Sequence, residues 1–189
     1  YTHNKEYLGS GFYNKNSLIS LRLLSPAFEG DIQEYIHSAL NQASALRKTL
    51  YPKRNSYRLC FSESDFMPGL IIDKYNGGMY ANIEHVLSWL KGSMHAENIF
   101  TSNDFYFRKL EGLPEEDNIY LGDAGTETID DGTIKYNINF SASQKTGFYF
   151  DQCDNREFIE KITKDKTVLD AFCNSGGVGL HAAHGGAGF

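Results

Sequence analysis

The stretch TVLDAFCNSGGVGLHAAH (167–184) restricts the fold of this chain more than any other part of the sequence. TVLDAF is an apolar run typical of a buried strand, a glycine-rich turn follows it, and VGLHAAH has the composition of a helix. The preceding segment, DNREFIEKITKDK (154–166), predicts a helix capped by Asp154, with Glu157 completing a capping box. The order helix, strand, glycine turn, helix is typical of the opening of a doubly wound α/β domain.

The glycine turn is a candidate ligand site, because ligands of open α/β sheets bind at the carboxyl ends of the strands. A phosphate loop is excluded, since no Lys-Ser or Lys-Thr pair follows the glycines, and their GGxG spacing does not match the dinucleotide pattern GxGxxG. A tight connection without a ligand remains an alternative. The candidate binding residues of this turn are Asp170, Phe172, Asn174, Ser175, Gly176, Gly177 and Gly179.

The charges of the turn favour S-adenosylmethionine (SAM) as its ligand. Asp170 is an acid at the predicted strand end, Asn174 offers an amide, and no Lys or Arg lies between 167 and 180. Such a site suits a sulfonium, an α-amino group and ribose hydroxyls, while the carboxylate of SAM would meet the N–H groups at the helix start. We expect only part of the site within this chain, since the next strand would follow Phe189.

The segment before this domain, SQKTGFYFDQCDNR (143–156), is rich in groups that could contact a cofactor. One interpretation is a loop over the purine of SAM, with Gln152 as a hydrogen-bonding group and an aromatic ring stacked on the base. The alternative is an aromatic plug between two domains, with Asp151 and Arg156 paired locally. Lys145, Phe148, Gln152 and Arg156 are among the polar and aromatic groups of this segment.

Residues 26–143 predict a compact α+β domain. An apolar stripe of Ile32, Ile36, Leu40, Ala43, Leu46 and Leu50 predicts a helix that Asp31 and Glu34 cap and Pro52 ends. Strand patterns follow in YRLCF, LIIDKY and MYANI, then a short helix over 85–96 and a strand at NIFTSND. Residues 111–131 predict a loop or edge, and GTIKYNINFSAS (132–143) alternates with Ile134, Tyr136, Ile138 and Phe140 on one face.

Composition bounds the possible partners and location. A formal net charge of -6 excludes a chain whose whole surface binds nucleic acid, but it allows a local basic patch. No apolar run is long enough to cross a bilayer, so we expect a cytoplasmic protein without a membrane partner. Basic residues interleaved with Tyr51 and Tyr57 form either an RNA-binding patch or a solvated helix end: Arg47, Lys48, Lys53, Arg54 and Arg58.

The cysteines and histidines point to no metal centre or disulfide framework. Cys60, Cys153 and Cys173 have no CxxC spacing, which favours buried or half-buried free thiols. His181 and His184 lie three residues apart, and without further ligands we expect a solvated or capping role for them.

Several motifs taken together resemble a known family. SQKTGFYFDQCDNR followed by VLDAFCNSGGVGLHAA, with YRLCFSESDFMPGLIIDKYNGG, RKLEGL and LGSGFYNKNSLISLRLLS upstream, is similar to the ribosomal RNA large-subunit (cytosine-5) methyltransferases that carry a PUA domain. Two positions depart from the family pattern, Cys153 in place of an arginine and Ser62 in place of a glycine.

The resemblance implies three regions: the tail of a PUA-like domain over 1–25, a central α+β domain over 26–143, and the first part of a Rossmann-like class I methyltransferase domain over 144–189. It implies SAM as cofactor and ribosomal RNA as substrate, with the catalytic cysteine beyond the end of this chain. It also assigns Lys145, Phe148, Gln152 and Arg156, which match the family's block before the domain, to the cofactor site. Neither Cys153 nor Cys173 is expected to be the nucleophile. A methyltransferase of another RNA position, a nicotinamide-dependent Rossmann enzyme, a scaffold role for the fragment, and a homodimer all stay open.

Overall fold

The computed structural model describes residues 3–25, 30–75, 78–80, 84–101, 105–110, 112–123, 125–140 and 147–188. Its first element pair is an antiparallel hairpin of β1 (Ser10–Tyr13) and β2 (Leu21–Ser25). Tyr13, Leu18, Ile19, Leu21 and Leu23 of this hairpin are all more than half exposed. The hairpin therefore contributes little to the core, apart from Leu24 and the partly buried Phe12.

Helix α1 (Ile32–Leu50) is confirmed with its predicted cap, since the Asp31 carboxylate accepts a hydrogen bond from the Gln33 N–H at 2.9 Å. Ile36, Leu40 and Ala43 of the predicted stripe are buried. The predicted stripe was wrong at its C-terminal end, because the side chains of Leu46 and Leu50 are 48% and 56% exposed.

A five-stranded sheet forms the centre of the molecule, in the order β3-β4-β5-β6-β7. Its strands are β3 (Tyr57–Phe61), β4 (Ile71–Lys74), β5 (Gly78–Tyr80), β6 (Asn98–Phe100) and β7 (Ile119–Leu121). All neighbours are antiparallel except β5 and β6, which helix α2 (Glu84–Ser93) connects as a parallel pair. A short helix, α3 (Phe105–Leu110), precedes β7.

The region 111–131 is more ordered than the sequence predicted. It contains the edge strand β7 and also β8 (Thr126–Asp130), which pairs antiparallel with β9 (Lys135–Asn139). The alternation of β9 is confirmed, with Tyr136, Ile138 and Phe140 buried. Strand β8 was not predicted because the region is acidic. A hairpin strand with one exposed face accepts polar residues at alternate positions, so a polar composition does not exclude a strand.

Two apolar clusters hold these elements together. The first lies between the sheet and helices α1 and α2, around Leu40, Leu59, Ile72 and Trp89. The second is aromatic and joins the sheet to the β8–β9 hairpin and to the start of the C-terminal region, with Tyr75, Phe100, Phe140, Phe148 and Phe150 as its rings. This second cluster positions the C-terminal helices against the central region.

The C-terminal region consists of a single 3-10 turn (Phe150–Gln152), α4 (Cys153–Ile162) and α5 (Gly177–His184). The capping box predicted at Asp154 was wrong: α4 begins one residue earlier, and Gln152 at its N-cap makes no side-chain hydrogen bond to the helix. Asp154 and Glu157 instead bind Arg54 of the central region. No helix among the described residues has the length and apolar composition needed to span a membrane.

Candidate functional site

The glycine turn between α4 and α5 has a strongly curved backbone. Phe172, Asn174 and Gly176 adopt positive φ values of 60°, 49° and 72°. The turn leads directly into α5, whose first-turn N–H groups have no partner within the helix. The Asp170 carboxylate accepts a hydrogen bond from the Gly179 N–H at 2.8 Å and so fixes the orientation of the helix start.

The strand predicted over TVLDAF does not form in this structure. Thr167 makes a single parallel bridge to Gly188, and residues 168–172 follow as irregular chain and turn. A parallel strand needs a neighbouring strand along its length to satisfy its backbone groups, and among the described residues only Gly188 offers such pairing. Leu169 and Phe172 accordingly stand 89% and 104% exposed.

The candidate ligand residues of the turn lie on an open surface. Asn174 and Ser175 are exposed, as is Cys173, which corrects the expectation that every thiol is at least half-buried. Gly176 has open space where a Cβ would stand. The turn therefore offers one carboxylate, one amide, one hydroxyl and one aromatic ring to a ligand.

The candidate cofactor residues in the segment before α4 differ in their burial. Phe148 is buried in the aromatic cluster, with its ring centroid 4.8 Å from that of Tyr136. Gln152 is exposed and accepts a hydrogen bond from Asn155. Lys145 lies outside the described residues. The expected alternative of a local Asp151–Arg156 pair was wrong, because Arg156 points into the protein.

Arg156 connects this segment to the glycine turn. It is only 5% exposed, its guanidinium carbon lies 4.3 Å from the centroid of Phe148, and its Nη1 lies 3.8 Å from Cys153 Sγ. Its Nε group is buried and has no hydrogen-bond partner among the described residues. A Cβ built on Gly177 would lie 2.6 Å from that Nε, so Arg156 packs directly beneath the start of α5.

A buried charge network, absent from the sequence-based expectations, lies behind α5. His181 is fully buried, with Nδ1 2.8 Å from Glu160 Oε2 and Nε2 2.9 Å from Asp131 Oδ2. His184 joins it through Nδ1, 2.9 Å from Glu160 Oε1. The solvated or capping role expected for His181 was therefore wrong. No sequence signal marks this network, since Asp131 lies 50 residues from His181.

Hydrogen bonding sets the protonation of the two carboxylates. Burial acts to raise the pKa of Asp131, but hydrogen bonds from the Ile134 N–H, His181 and the Thr133 N–H lower that pKa below its ordinary value. Partial desolvation of Glu160 is likewise outweighed by hydrogen bonds from His184 and His181, which lower its pKa. Within the described part of the chain, no group of three or more His, Cys, Asp or Glu side chains is arranged to hold a metal ion.

The basic patch predicted from residues 47–58 is largely neutralised. Arg47 binds Asp65 through two hydrogen bonds of 2.5 and 2.7 Å, and Arg58 binds Asp73 through two of 2.8 and 3.0 Å. Arg54 binds Asp154 and Glu157 of α4. The acidic partners of these arginines lie outside the basic stretch, so the sequence of the stretch alone does not show them. Lys48 and Lys53 remain exposed, with no ion pair to a described residue.

The two buried thiols are poorly suited to nucleophilic catalysis. Burial raises the pKa of Cys153 to about 11, despite the opposing effect of Arg156. Burial raises the pKa of Cys60 to about 12. Because the thiolate is the nucleophilic form, neither side chain is reactive at neutral pH.

Comparisons with known proteins agree with the sequence motifs. A family model described as a PUA-like domain matches residues 1–26. Proteins named Ribosomal RNA large subunit methyltransferase I are 34% identical over 99% of this chain in Aliivibrio fischeri, and 32% identical over 96% of it in Tolumonas auensis. The alignments cover 51% and 50% of those proteins, so the chain spans about half the length of these relatives.

Solved structures share the fold. A candidate methyltransferase crystallised with SAH matches 95% of this chain and 49% of its own, with a TM-score of 0.78 and 22% identity. A candidate SAM-dependent methyltransferase from Streptococcus mutans matches with a TM-score of 0.77 and 21% identity. The resemblance drawn from the motifs is therefore confirmed: this chain shares the fold of these structures and is similar along nearly its whole length to the ribosomal RNA large subunit methyltransferase I proteins.

Proposed function

We propose that the protein is a SAM-dependent RNA methyltransferase, and that its target is C5 of a cytosine in 23S ribosomal RNA. The observation that supports this most is the open turn before α5, where the Asp170 carboxylate is fixed on the Gly179 N–H and Asn174 and Ser175 are exposed. The names of the relatives support the choice of ribosomal RNA.

The described residues fit SAM in their charges and hydrogen-bonding groups. The positive end of the α5 helix dipole would face its carboxylate. The second oxygen of Asp170 would accept a hydrogen bond from its α-amino group, with Asn174 and Ser175 beside it. The exposed Phe172 ring would cover an apolar part of the ligand, and Gly176 leaves room for it.

The remaining cofactor candidates support the turn in different ways. Arg156 and Phe148 are buried beneath it, so we assign them the positioning of Gly177 and α5. Gln152 is exposed at the start of α4 and keeps its proposed contact with the purine. Lys145 keeps its proposed role on the basis of the motif alone.

Bound SAM would supply an electrophilic methyl group on a positively charged sulfur. Methylation at C5 of cytosine also requires a nucleophile that adds to C6, and cysteine thiolates supply such nucleophiles. The raised pKa of Cys153 and its burial exclude it from that role in our proposal, and Cys173 lies on the cofactor turn itself. We therefore assign the nucleophile to a part of the protein beyond residues 1–189.

The proposed division of the chain follows the motifs. Residues 1–25 belong to a PUA-like RNA-binding domain, 26–143 form the central α+β domain, and 144–189 open the Rossmann-like methyltransferase domain. Lys48 and Lys53 are the proposed phosphate contacts, since the neighbouring arginines are paired. Action on ribosomal RNA implies a cytoplasmic location. A homodimer is not part of the proposal.

Calorimetric titration of the full-length protein tests the cofactor assignment. We expect binding of SAM and none of NAD, and about tenfold weaker SAM binding in Asp170→Asn, because a charge-assisted hydrogen bond is lost. Asp123→Asn, which removes an exposed acid at the far edge of the sheet, is the matched control. Binding of NAD in preference to SAM would contradict the proposed function.

A further inference from the structure

A cavity of about 180 Å³ lies between the central region and the start of α4, away from the glycine turn. The C-terminal end of α1, strand β3 and the 3-10 turn before α4 form its walls. We name it the arginine–aromatic cavity after its lining, which includes Arg47, Tyr51, Arg54, Arg58, Phe61 and Asp151. The SAM site proposed above uses none of these six residues.

Flat faces dominate this lining. The Arg54 guanidinium carbon lies 4.5 Å from the centroid of the Tyr51 ring, and that of Arg58 lies 5.3 Å from the centroid of Phe61. Tyr57 stands beside Tyr51 with 6.2 Å between ring centroids. Phe61 remains 45% exposed, so its ring is accessible to a further planar group. Aromatic rings and guanidinium planes are the surfaces on which unpaired nucleobases stack.

The cavity is not built for a phosphate. Its three guanidinium groups are held by Asp65, Asp73, Asp154 and Glu157. Asp151 adds a further carboxylate to the lining and is exposed. An anion would therefore meet at least as much negative as positive charge. Because a carboxylate only accepts hydrogen bonds, Asp151 favours a ligand edge that carries donors.

We propose that the arginine–aromatic cavity binds one unpaired RNA base that carries an exocyclic amino group, stacked on Phe61 and donating to Asp151. Cytosine and adenine, like guanine, carry such an amino group, whereas uracil has a carbonyl acceptor in its place and a ring N–H as its sole donor to a carboxylate. The two bidentate Arg–Asp pairs keep the cavity walls in place before RNA binds. This proposal rests on the proposed function, since it requires RNA as the substrate.

The test measures the affinity of the full-length protein for labelled single-stranded RNA nonamers of cytidine, adenosine or uridine by fluorescence anisotropy. Asp151→Asn removes one negative charge and replaces one of the two accepting carboxylate oxygens with a donating NH2 group. We expect it to weaken binding of the cytidine and adenosine nonamers about fivefold and to reduce the preference over uridine. Phe61→Ala should weaken all three at least about fivefold, the effect of losing one stacked base.

Asp123→Asn provides the matched control, because it makes the same charge change at the opposite edge of the sheet. Tighter binding of every nonamer by Asp151→Asn would show a phosphate in the cavity and overturn the proposal, as would unchanged binding by Phe61→Ala. Both results leave SAM binding, and hence the proposed function, standing. Failure of the wild-type protein to bind any nonamer would overturn the cavity proposal and the RNA substrate together, without affecting the SAM titration.

Discussion

Replacing His181 by leucine tests whether the buried network holds the C-terminal helices on the central region. In the native chain, His181 of α5 lies between Asp131 of the β8–β9 turn and Glu160 of α4. The ring of His181 thus links two carboxylates through its two nitrogens. Leucine fills similar space but removes both of these contacts and leaves two carboxylates near each other.

The expected loss follows from the burial of each partner. Removing the partner of a buried charged group typically destabilises a protein by about 3–5 kcal/mol, because the charge is left buried without compensation. Asp131 is 2% exposed, but it keeps hydrogen bonds from two backbone N–H groups, and Glu160 can rehydrate because its side chain is 24% exposed. We therefore expect a loss at the lower end, about 3 kcal/mol.

Urea unfolding followed by circular dichroism measures this loss, with the m-value as the check on cooperativity. His184→Leu is the control, because His184 contacts the same Glu160 but is 55% exposed, and its pair should contribute under about 1 kcal/mol. Adding Asp131→Asn to His181→Leu should recover part of the loss, since the amide oxygen still accepts from the turn. A loss below about 1 kcal/mol for His181→Leu would refute this account of the network.

Three further predictions follow from the same geometry. Asp131 and Glu160 have lowered pKa values, so their contribution to stability is present above the ordinary carboxyl pKa and is lost as the pH falls. The urea concentration at the midpoint of unfolding should therefore decrease when the pH is lowered below about 4.5. A midpoint that does not change with pH in this range would contradict the prediction. Gly177→Ala should destabilise the protein by about 1–3 kcal/mol through its contact with Arg156, whereas Gly92→Ala in α2, with open space around it, should be neutral or stabilising in the same urea assay. Cys153→Ser and Cys173→Ser should each retain methyl transfer by the full-length protein, and loss of transfer with intact SAM binding would identify a catalytic thiol.

The elements that sequence patterns predicted correctly are those whose signal is local. The Asp31 cap and the alternation of β9 depend on residues within a few positions of each other, and both are present in the structure. The strand at 167–172 was wrong for a physical reason. Its apolar composition describes a strand inside a parallel sheet, and the described residues give it pairing only at Thr167.

In the candidate site, too, the features predicted correctly depend on neighbouring residues, and those missed depend on residues far apart in the sequence. The glycine turn and the position of Asp170 were readable from the sequence, because one short segment contains them. The pairing of Arg47, Arg54 and Arg58 was not, since their partners lie between 15 and 103 residues away. A basic patch identified from sequence therefore gives only an upper limit on free positive charge.

The glycines of the turn are required for different physical reasons, which the sequence pattern alone does not distinguish. Gly176 has a φ of 72° and nothing within 4 Å of an added Cβ, so its backbone conformation, and not crowding, favours glycine there. Gly177 has the opposite constraint, because an added Cβ would collide with the buried Arg156. A glycine that packs against an arginine cannot also face a ligand on that side. The proposed ligand-facing surface of the turn is therefore the side of Asn174, Ser175 and Gly176, while Gly177 and Arg156 would determine where that surface lies.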